Sequence, residues 1–231
     1  MIPADLHIHS CLSPCGEEEM TPNNIVRMAL IKGLRAIAVT DHNACANVPG
    51  VQAAAAPLGL TVIPGTEVTT VEDIHVLCYF PDYPRLAAFC AWLDATDPGI
   101  PNRSERMGRQ VIRDGEDNET GQLPNLLITG RGGPLEEVEA RALAMGGVAV
   151  PAHIDKSSNS ILSVLGYIPR SLNARTVEVL GEKGREAAGF RGVIRSSDAH
   201  QLTDILEGDA APLLPAETPE TLIAAFLKGQ W

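Results

Sequence analysis

The chain has 231 residues, 45% of them hydrophobic and 4% aromatic, so it can bury a core, and that core must be built from Ala, Val, Ile and Leu. Its 29 acidic and 18 basic residues leave a net charge of −11, a field that repels nucleic-acid backbones and anionic membranes and argues against a protein that coats either. No apolar run of about 18 residues is present, the N-terminus lacks a basic region followed by an apolar stretch, and five cysteines, an odd count, read as free thiols; the expected location is the cytoplasm, without a membrane span.

"MIPADLHI" reads as a first strand, and Thr21-Pro22 as an N-cap with proline at the first helical position of a helix that stops at Gly33. "LRAIAVTDHN" is a nearly continuous apolar run ending in polar residues, as a buried parallel strand is. "VPGVQAAAAPLG" predicts a second helix, "LTVIPGTEV" a third strand, and the stretch to "IHVLCYF" a hairpin around Glu72-Asp73. "PRLAAFCAWLDA" is the next helix. Residues 97–133, rich in Pro, Gly, Asn and charge, break the rhythm; they read as an excursion from one domain spanning 1–231, with a polar helix over 102–114. "PLEEVEARALAMGG" opens on Pro, carries early glutamates and closes on Gly-Gly, a well-signalled helix. "VAVPAH", "TVEVL" and "GVIRSSDAH" follow as strands, and Thr218-Pro219 caps a closing helix. Strands alternating with helices predict a parallel α/β sheet, either open and doubly wound or closed into a barrel.

The six histidines are His7, His9, His42, His75, His153 and His200; each sits in or at the end of a predicted strand and none falls in the excursion. In α/β folds the carboxyl ends of parallel strands converge on one face, where active sites form. In "DLHIH" residues 5, 7 and 9 share a strand face, so His7 and His9 can reach one ion, at roughly 2.0–2.1 Å for zinc. Asp198 and His200 repeat that spacing, and Glu67 follows a Pro-Gly turn where a carboxylate can bridge two cations. Taken singly these features have ordinary explanations: a strand pair, a capping "TDH", a solvated loop glutamate, a hydrogen-bonded core histidine at His75. It is their shared location that points to a metal site.

The set "DLHIHS" (5–10), "TDHN" (40–43), Glu67, His75 in "IHVL", His153 in "PAHID" and "SDAH" (197–200), in that order, resembles the PHP (polymerase and histidinol phosphatase) domain family. The resemblance implies a distorted (β/α)7 TIM-like barrel carrying two to three divalent ions, zinc, iron or manganese, at the carboxyl ends of its strands, and phosphoester hydrolysis. It implies that His7, His9, Glu67 and Asp198 hold one ion, that Glu67, His75 and His153 hold a second, and that His42 and His200 hold a third. Relatives supply a further His or Asp from the loop after the first motif; here the nearest candidate in "CLSPCG" is Cys15, whose thiolate favours zinc or iron. Cys11 reads as a small buried residue, the other reading being a redox pair with Cys15.

The expected activity is that of a metal-dependent phosphoesterase, with His7, His9, Glu67, Asp198 and His200 in the catalytic set and a hydroxide bridging two ions as attacking group. The absence of a G-x-S-x-G elbow and of a phosphate-binding loop suits a mechanism with no protein nucleophile. Asp5 and Asp41 are expected to orient neighbouring imidazoles. Lys156, Ser158 and Arg195 are the substrate-binding candidates, and Arg103, Arg106, Arg109 and Arg113 make residues 97–133 a candidate cap, insertion or oligomer contact. The expected partner is a small phosphorylated molecule; nucleic acid is expected only as a short oligonucleotide, in an exonuclease-like variant of the same chemistry. The reading from a different class is a non-catalytic metal-binding module.

Overall fold

A computed structural model describes residues 1–181, 185, 189 and 191–231. Strand β1 (Ile2–Ile8) is buried from Ala4 onward. Helix α1 (Pro22–Ile31) starts where the sequence predicts: the Thr21 hydroxyl accepts from the Asn24 N–H and Pro22 occupies the first turn. It packs Ile25, Val26 and Ala29 against Ile37 and Val39 of β2 (Ala36–Val39), the parallel partner of β1. The β1–β2 register shifts between Asp5 and Ile8, and beyond the shift the chain leaves β2: the His9 N–H donates to the Ala199 carbonyl and the Ala199 N–H to that of His7. A bulge that re-aims side chains thus falls at the two histidines.

Helix α2 (Val48–Ala55) leads to the first departure from expectation. The single strand predicted over 60–68 is two. β3 (Thr61–Val62) pairs parallel to β2, whereas β4 (Gly65–Thr69) leaves that sheet for a hairpin with β5 (His75–Tyr79). Pro64, between them, has no N–H for a ladder and marks the break. The hairpin turns at Glu72-Asp73 as predicted, with Asp73 at φ +69°.

Helix α3 (Tyr83–Asp94) is capped by Asp82. In the polar segment the predicted helix over 102–114 does not form. A single turn, α4 (Ser104–Met107), ends at Gly108, and β6 (Val111–Arg113) pairs with β7 (Glu119–Gln122). The reason is local: Asp114 accepts from the Glu116 and Asn118 N–H groups and closes a turn, and Arg109 grips both Glu119 oxygens at 2.7 Å across the hairpin. The segment docks on the loops that follow β1 and β2. The Val111 N–H donates to the Cys11 carbonyl, and the Asn43 amide to the Leu127 and Thr129 carbonyls. Gly108 makes the closest approach: at φ +92° a Cβ would stand 2.2 Å from the Pro14 carbonyl oxygen. Gly108→Ala is therefore expected to lower stability by about 1–3 kcal/mol from backbone conformation alone, with the clash added; an unchanged urea midpoint would show that the segment does not rest on the 11–16 loop.

Helix α5 (Leu135–Ala144) and β8 (Val148–Pro151) follow, β8 pairing antiparallel with β5. A short helix absent from the sequence reading, α6 (Ile161–Leu165), is held by a Ser160–Ser163 capping box. β9 (Thr176–Glu178) and β10 (Gly192–Ile194) run parallel; β11 (Leu213–Leu214), also unforeseen, pairs with the start of β1; and the C-terminal helix (Pro219–Phe226) is capped by Thr218 as predicted. Val76, Cys78 and Phe80 face Leu86, Phe89 and Val138 of α3 and α5. Leu77 and Tyr79, on the other face, meet Leu6, Ala36, Ala38, Val150, Ile194 and Phe226.

The result is a mixed α/β fold. The expected (β/α)7 barrel is not present as a continuous ring among the described residues: the strands form separate sheets, with isolated parallel bridges at Ile8–Ala199 and His42–Glu67. The β4–β5 hairpin is as expected, whereas β8 pairs antiparallel with β5 in place of the parallel ladder that the βα rhythm predicts. No described helix is long and apolar enough to cross a membrane.

Candidate metal centre

Glu67, in mid-β4, is the centre of the site. Its carboxylate lies 3.3 Å from His7 Nε2, 3.4 Å from His9 Nε2, 3.1 Å from His42 Nδ1, 3.0 Å from His75 Nδ1 and 3.2 Å from His153 Nε2. His7 and His9 come from the end of β1, His42 from the loop after β2, and His153 from the residue pair after β8. His75 arrives from the amino end of β5 because that strand runs opposite to β4 and β8, a geometry the expectation of carboxyl ends alone does not contain. Asp198, after β10, places Oδ1 3.3 Å from both His7 Nε2 and His9 Nε2. His200 stacks on His9 at 4.4 Å between ring centroids.

Potential ligand atoms lie within 4.8 Å of one another in three groups: His7, His9 and Asp198; His42, Glu67 and His75; and His9, Cys15, His42 and His200. These overlap the three sets named from sequence, with His9 and His42 each common to two groups and His153 touching Glu67 from outside them. Cys15 is an exposed residue whose Sγ turns inward, to within 4.8 Å of ligand atoms of His9, His42 and His200. Burial of its sulfur and then the Glu67 charge push its thiol up to about 12, so a thiolate there needs an adjacent cation. Cys11 is buried with its thiol directed at the Val111 carbonyl, 3.7 Å away, and is free, as Cys15 is.

Several contacts fix which imidazole nitrogens face the centre. Glu178 of β9 takes the His7 Nδ1 side at 3.0 Å, which leaves the Nε2 lone pair pointing inward. Ser13 spends its hydroxyl proton on Asp41 at 2.7 Å and so accepts from His9 Nδ1–H at 3.0 Å, with the same outcome for His9. Asp41 thus acts on His9 through Ser13. Asp5 does not orient an imidazole: its carboxylate accepts from the Ser197 and Leu206 N–H groups, both at 3.0 Å, and ties down the loop that carries Asp198 and His200. His200 Nδ1 donates to the Asp198 carbonyl at 2.8 Å. His153 and Asp198 both hold positive φ, +29° and +53°, a conformation costly for side-chain-bearing residues and concentrated at functional sites.

Burial opposes charge on Glu67, yet His75, His7 and His42 hold its carboxyl well below the usual range. Burial likewise opposes charge on Asp198, which His7 and His9 hold low. Burial drives His42 well below its ordinary value and, with His9 next in effect, takes His200 down to about 4. The donor set fits divalent cations on a direct observation. His42 Nδ1, Glu67 Oε2 and His75 Nδ1 are all buried without a hydrogen-bond partner, although His42 Nδ1 lies 3.1 Å from Glu67 Oε2; His153 meets Glu67 through Nε2. Buried polar atoms are rarely left so, and several lone pairs converging on one space is what metal ligands require.

Of the substrate-binding candidates, Lys156 reaches the cluster, its Nζ 2.8 Å from Asp198 Oδ2. Ser158 and Arg195 are exposed. Among the excursion's arginines, Arg109 is held by Glu119 and Arg113 donates to the Asp117 carbonyl, whereas Arg103 and Arg106 stay exposed. Sequence reasoning missed Glu178. Its signal was an acid inside the apolar run "TVEVL", a position a carboxylate tolerates only with partners.

A sequence model of the PHP domain matches residues 5–162. A 5'-3' exoribonuclease of Haemophilus influenzae is 27% identical over 130 residues, 48% of this chain and 46% of that protein. This chain spans about half the length, or less, of the curated relatives it matches. Among solved structures, a Bifidobacterium adolescentis chain classed as a metal-dependent phosphoesterase superposes with a TM-score of 0.59 at 19% identity, covering 99% of this chain and 96% of that one. Endonuclease Q of Pyrococcus furiosus superposes with a TM-score of 0.58 at 20% identity, covering 87% of this chain and 49% of that one. Both of these likenesses are of fold.

Proposed function

The chain belongs to the PHP domain family, and from that premise we propose that it is a metal-dependent phosphoesterase acting on a small phosphorylated substrate. The observation that carries this reading is Glu67, a buried carboxylate within 3.4 Å of five imidazoles that come from four separate segments. In this reading His7, His9, Glu67 and Asp198 hold one divalent ion, and Glu67, His75 and His153 a second. His42 and His200 hold a third with Cys15, His9 lying close by. Zinc, iron or manganese bound there supplies Lewis-acid polarisation of the phosphoryl oxygens and acidifies a water.

The chain's own residues do the rest. Glu178 and the Asp41–Ser13 pair keep His7 and His9 in the tautomer that presents Nε2. Lys156, paired with Asp198, offers a cationic group for a substrate phosphate, with exposed Ser158 and Arg195 as further candidates. Residues 97–133, docked on the loops after His9 and His42, act as the cap of a single domain whose sheets stand in for the family's distorted barrel. The complete donor set disfavours a non-catalytic module.

A second substrate class has a specific observation behind it: one relative is named an exoribonuclease and one structural neighbour an endonuclease. Chromogenic phosphomonoesters and phosphodiesters, and a short oligonucleotide, assayed with Mn, Zn or Fe, separate the classes. Turnover lost in both His9→Ala and Asp198→Ala is the expected result; no turnover under any of these conditions would overturn the reading. Cys15→Ala is expected to lower bound metal by close to one equivalent by elemental analysis, and unchanged stoichiometry would remove Cys15 from the ligand set.

A further inference from the structure

We propose that Glu178 is a positioning residue that couples two metal subsites, so that the ions of the His7 and His153 groups load together; this rests on the hydrolase reading above. Glu178 is wholly buried in β9, between the core residues Val177 and Val179. Among the described residues no lysine or arginine pairs with it. Its carboxylate accepts instead from His7 Nδ1, at 3.0 and 3.2 Å, and from the His153 backbone N–H at 2.9 Å. The two partners lie 146 residues apart in sequence (153 minus 7) and face Glu67 from different strands.

Each contact does something definite. The bond to His7 places the proton on Nδ1 and leaves Nε2 bare toward His9, Asp198 and Glu67. The bond to the His153 N–H holds a backbone whose φ of +29° an L-residue rarely adopts, and so holds the imidazole against Glu67. One side chain therefore sets the donor direction of a ligand in each subsite. An ion that orders either histidine orders Glu178, and with it the other histidine.

The link between β8 and β9 does not depend on the carboxylate, because the Ile154 N–H donates to the Glu178 backbone carbonyl at 2.9 Å. Glu178→Gln keeps shape and that bond but has a single acceptor oxygen. Oε2 takes both the His153 N–H at 2.9 Å and the closer His7 Nδ1 contact at 3.0 Å, so an amide oxygen there keeps both bonds without the charge, while an NH2 replaces Oε1 at 3.2 Å from His7 Nδ1 and competes against the tautomer whose Nε2 is bare.

The test is calorimetric titration of chelator-stripped protein with Mn2+ and with Zn2+, wild type against Glu178→Gln and Glu178→Asp, with circular dichroism of each apoprotein. Expected is a native spectrum for Glu178→Gln, with two of the ions bound about 10–100-fold more weakly and in separate steps rather than one. Glu178→Asp, which keeps the charge, should fall between Glu178→Gln and wild type. If Glu178→Gln does not fold, Glu178→Asp carries the test by the same criterion of weaker, separated steps. Wild-type affinities and a single step in the folded variant would overturn the proposal alone. A wild-type protein that binds neither metal would overturn the hydrolase reading and this inference together.

Discussion

Glu67→Gln should cut phosphoester hydrolysis by about a thousandfold or more. The glutamine fills the same volume, so the effect is one of charge. Among the described residues Glu67 is the carboxylate in contact with all five of His7, His9, His42, His75 and His153, and in the reading proposed above it is shared by two ions. Its amide replacement offers one acceptor and no charge, and points an NH2 at imidazole lone pairs. Metal assistance supplies several kcal/mol of transition-state stabilisation. Losing about 4 kcal/mol of it corresponds to about three powers of ten in rate, at 1.36 kcal/mol for each. The measurement is kcat/KM on a chromogenic ester with saturating metal. A variant retaining a tenth of the wild-type value would mean that the ions do not share this carboxylate.

Chelation should be nearly as severe, and on stability as well as rate. Stripping cations returns His42 Nδ1, Glu67 Oε2 and His75 Nδ1 to the state of buried polar atoms without partners. By mass action each ion present at a thousand times its Kd adds about 4 kcal/mol to the folded state. A domain of this size shifts by about 2–4 °C for each kcal/mol. One ion is therefore worth about 8–16 °C, and melting curves with chelator and with restored Mn or Zn should differ by at least that much. In His9→Ala the difference should shrink, because His9 borders two of the three groups. Superimposable curves in wild type would mean that no ion is held tightly enough to matter.

Both expectations trace back to how much of the site a linear reading could reach. Local signals were legible because their causes are local. A hydroxyl and a proline side by side at Thr21-Pro22 and at Thr218-Pro219 start helices through bonds that span three residues. Two histidines at a spacing of two share a strand face through the pleat, and His7 and His9 do approach to 3.2 Å between Nε2 atoms. The hairpin at Glu72-Asp73 needed only a turn between two apolar runs. The full motif set was legible for a different reason, its ordered resemblance to the PHP domain family.

What the chain order could not contain was direction and partnership across long separations. The predicted hairpin already turned β5 against β4, but periodicity does not say which strand flanks β5 on its other side, so its antiparallel pairing with β8 appears only in the folded chain. Nor does it say that "LTVIPGTEV" divides between two sheets, or that Arg109 and Glu119 fold a polar stretch into a hairpin. Glu178 is the sharpest case. In sequence it is one acid among 29; in the folded chain it is the buried acceptor for His7 and His153. Composition and spacing thus determined the helix starts, the apolar strands and the kinds of donor atom available. Strand direction and the closure of long loops, which no short window of residues encodes, decided where those donors meet and what holds them there.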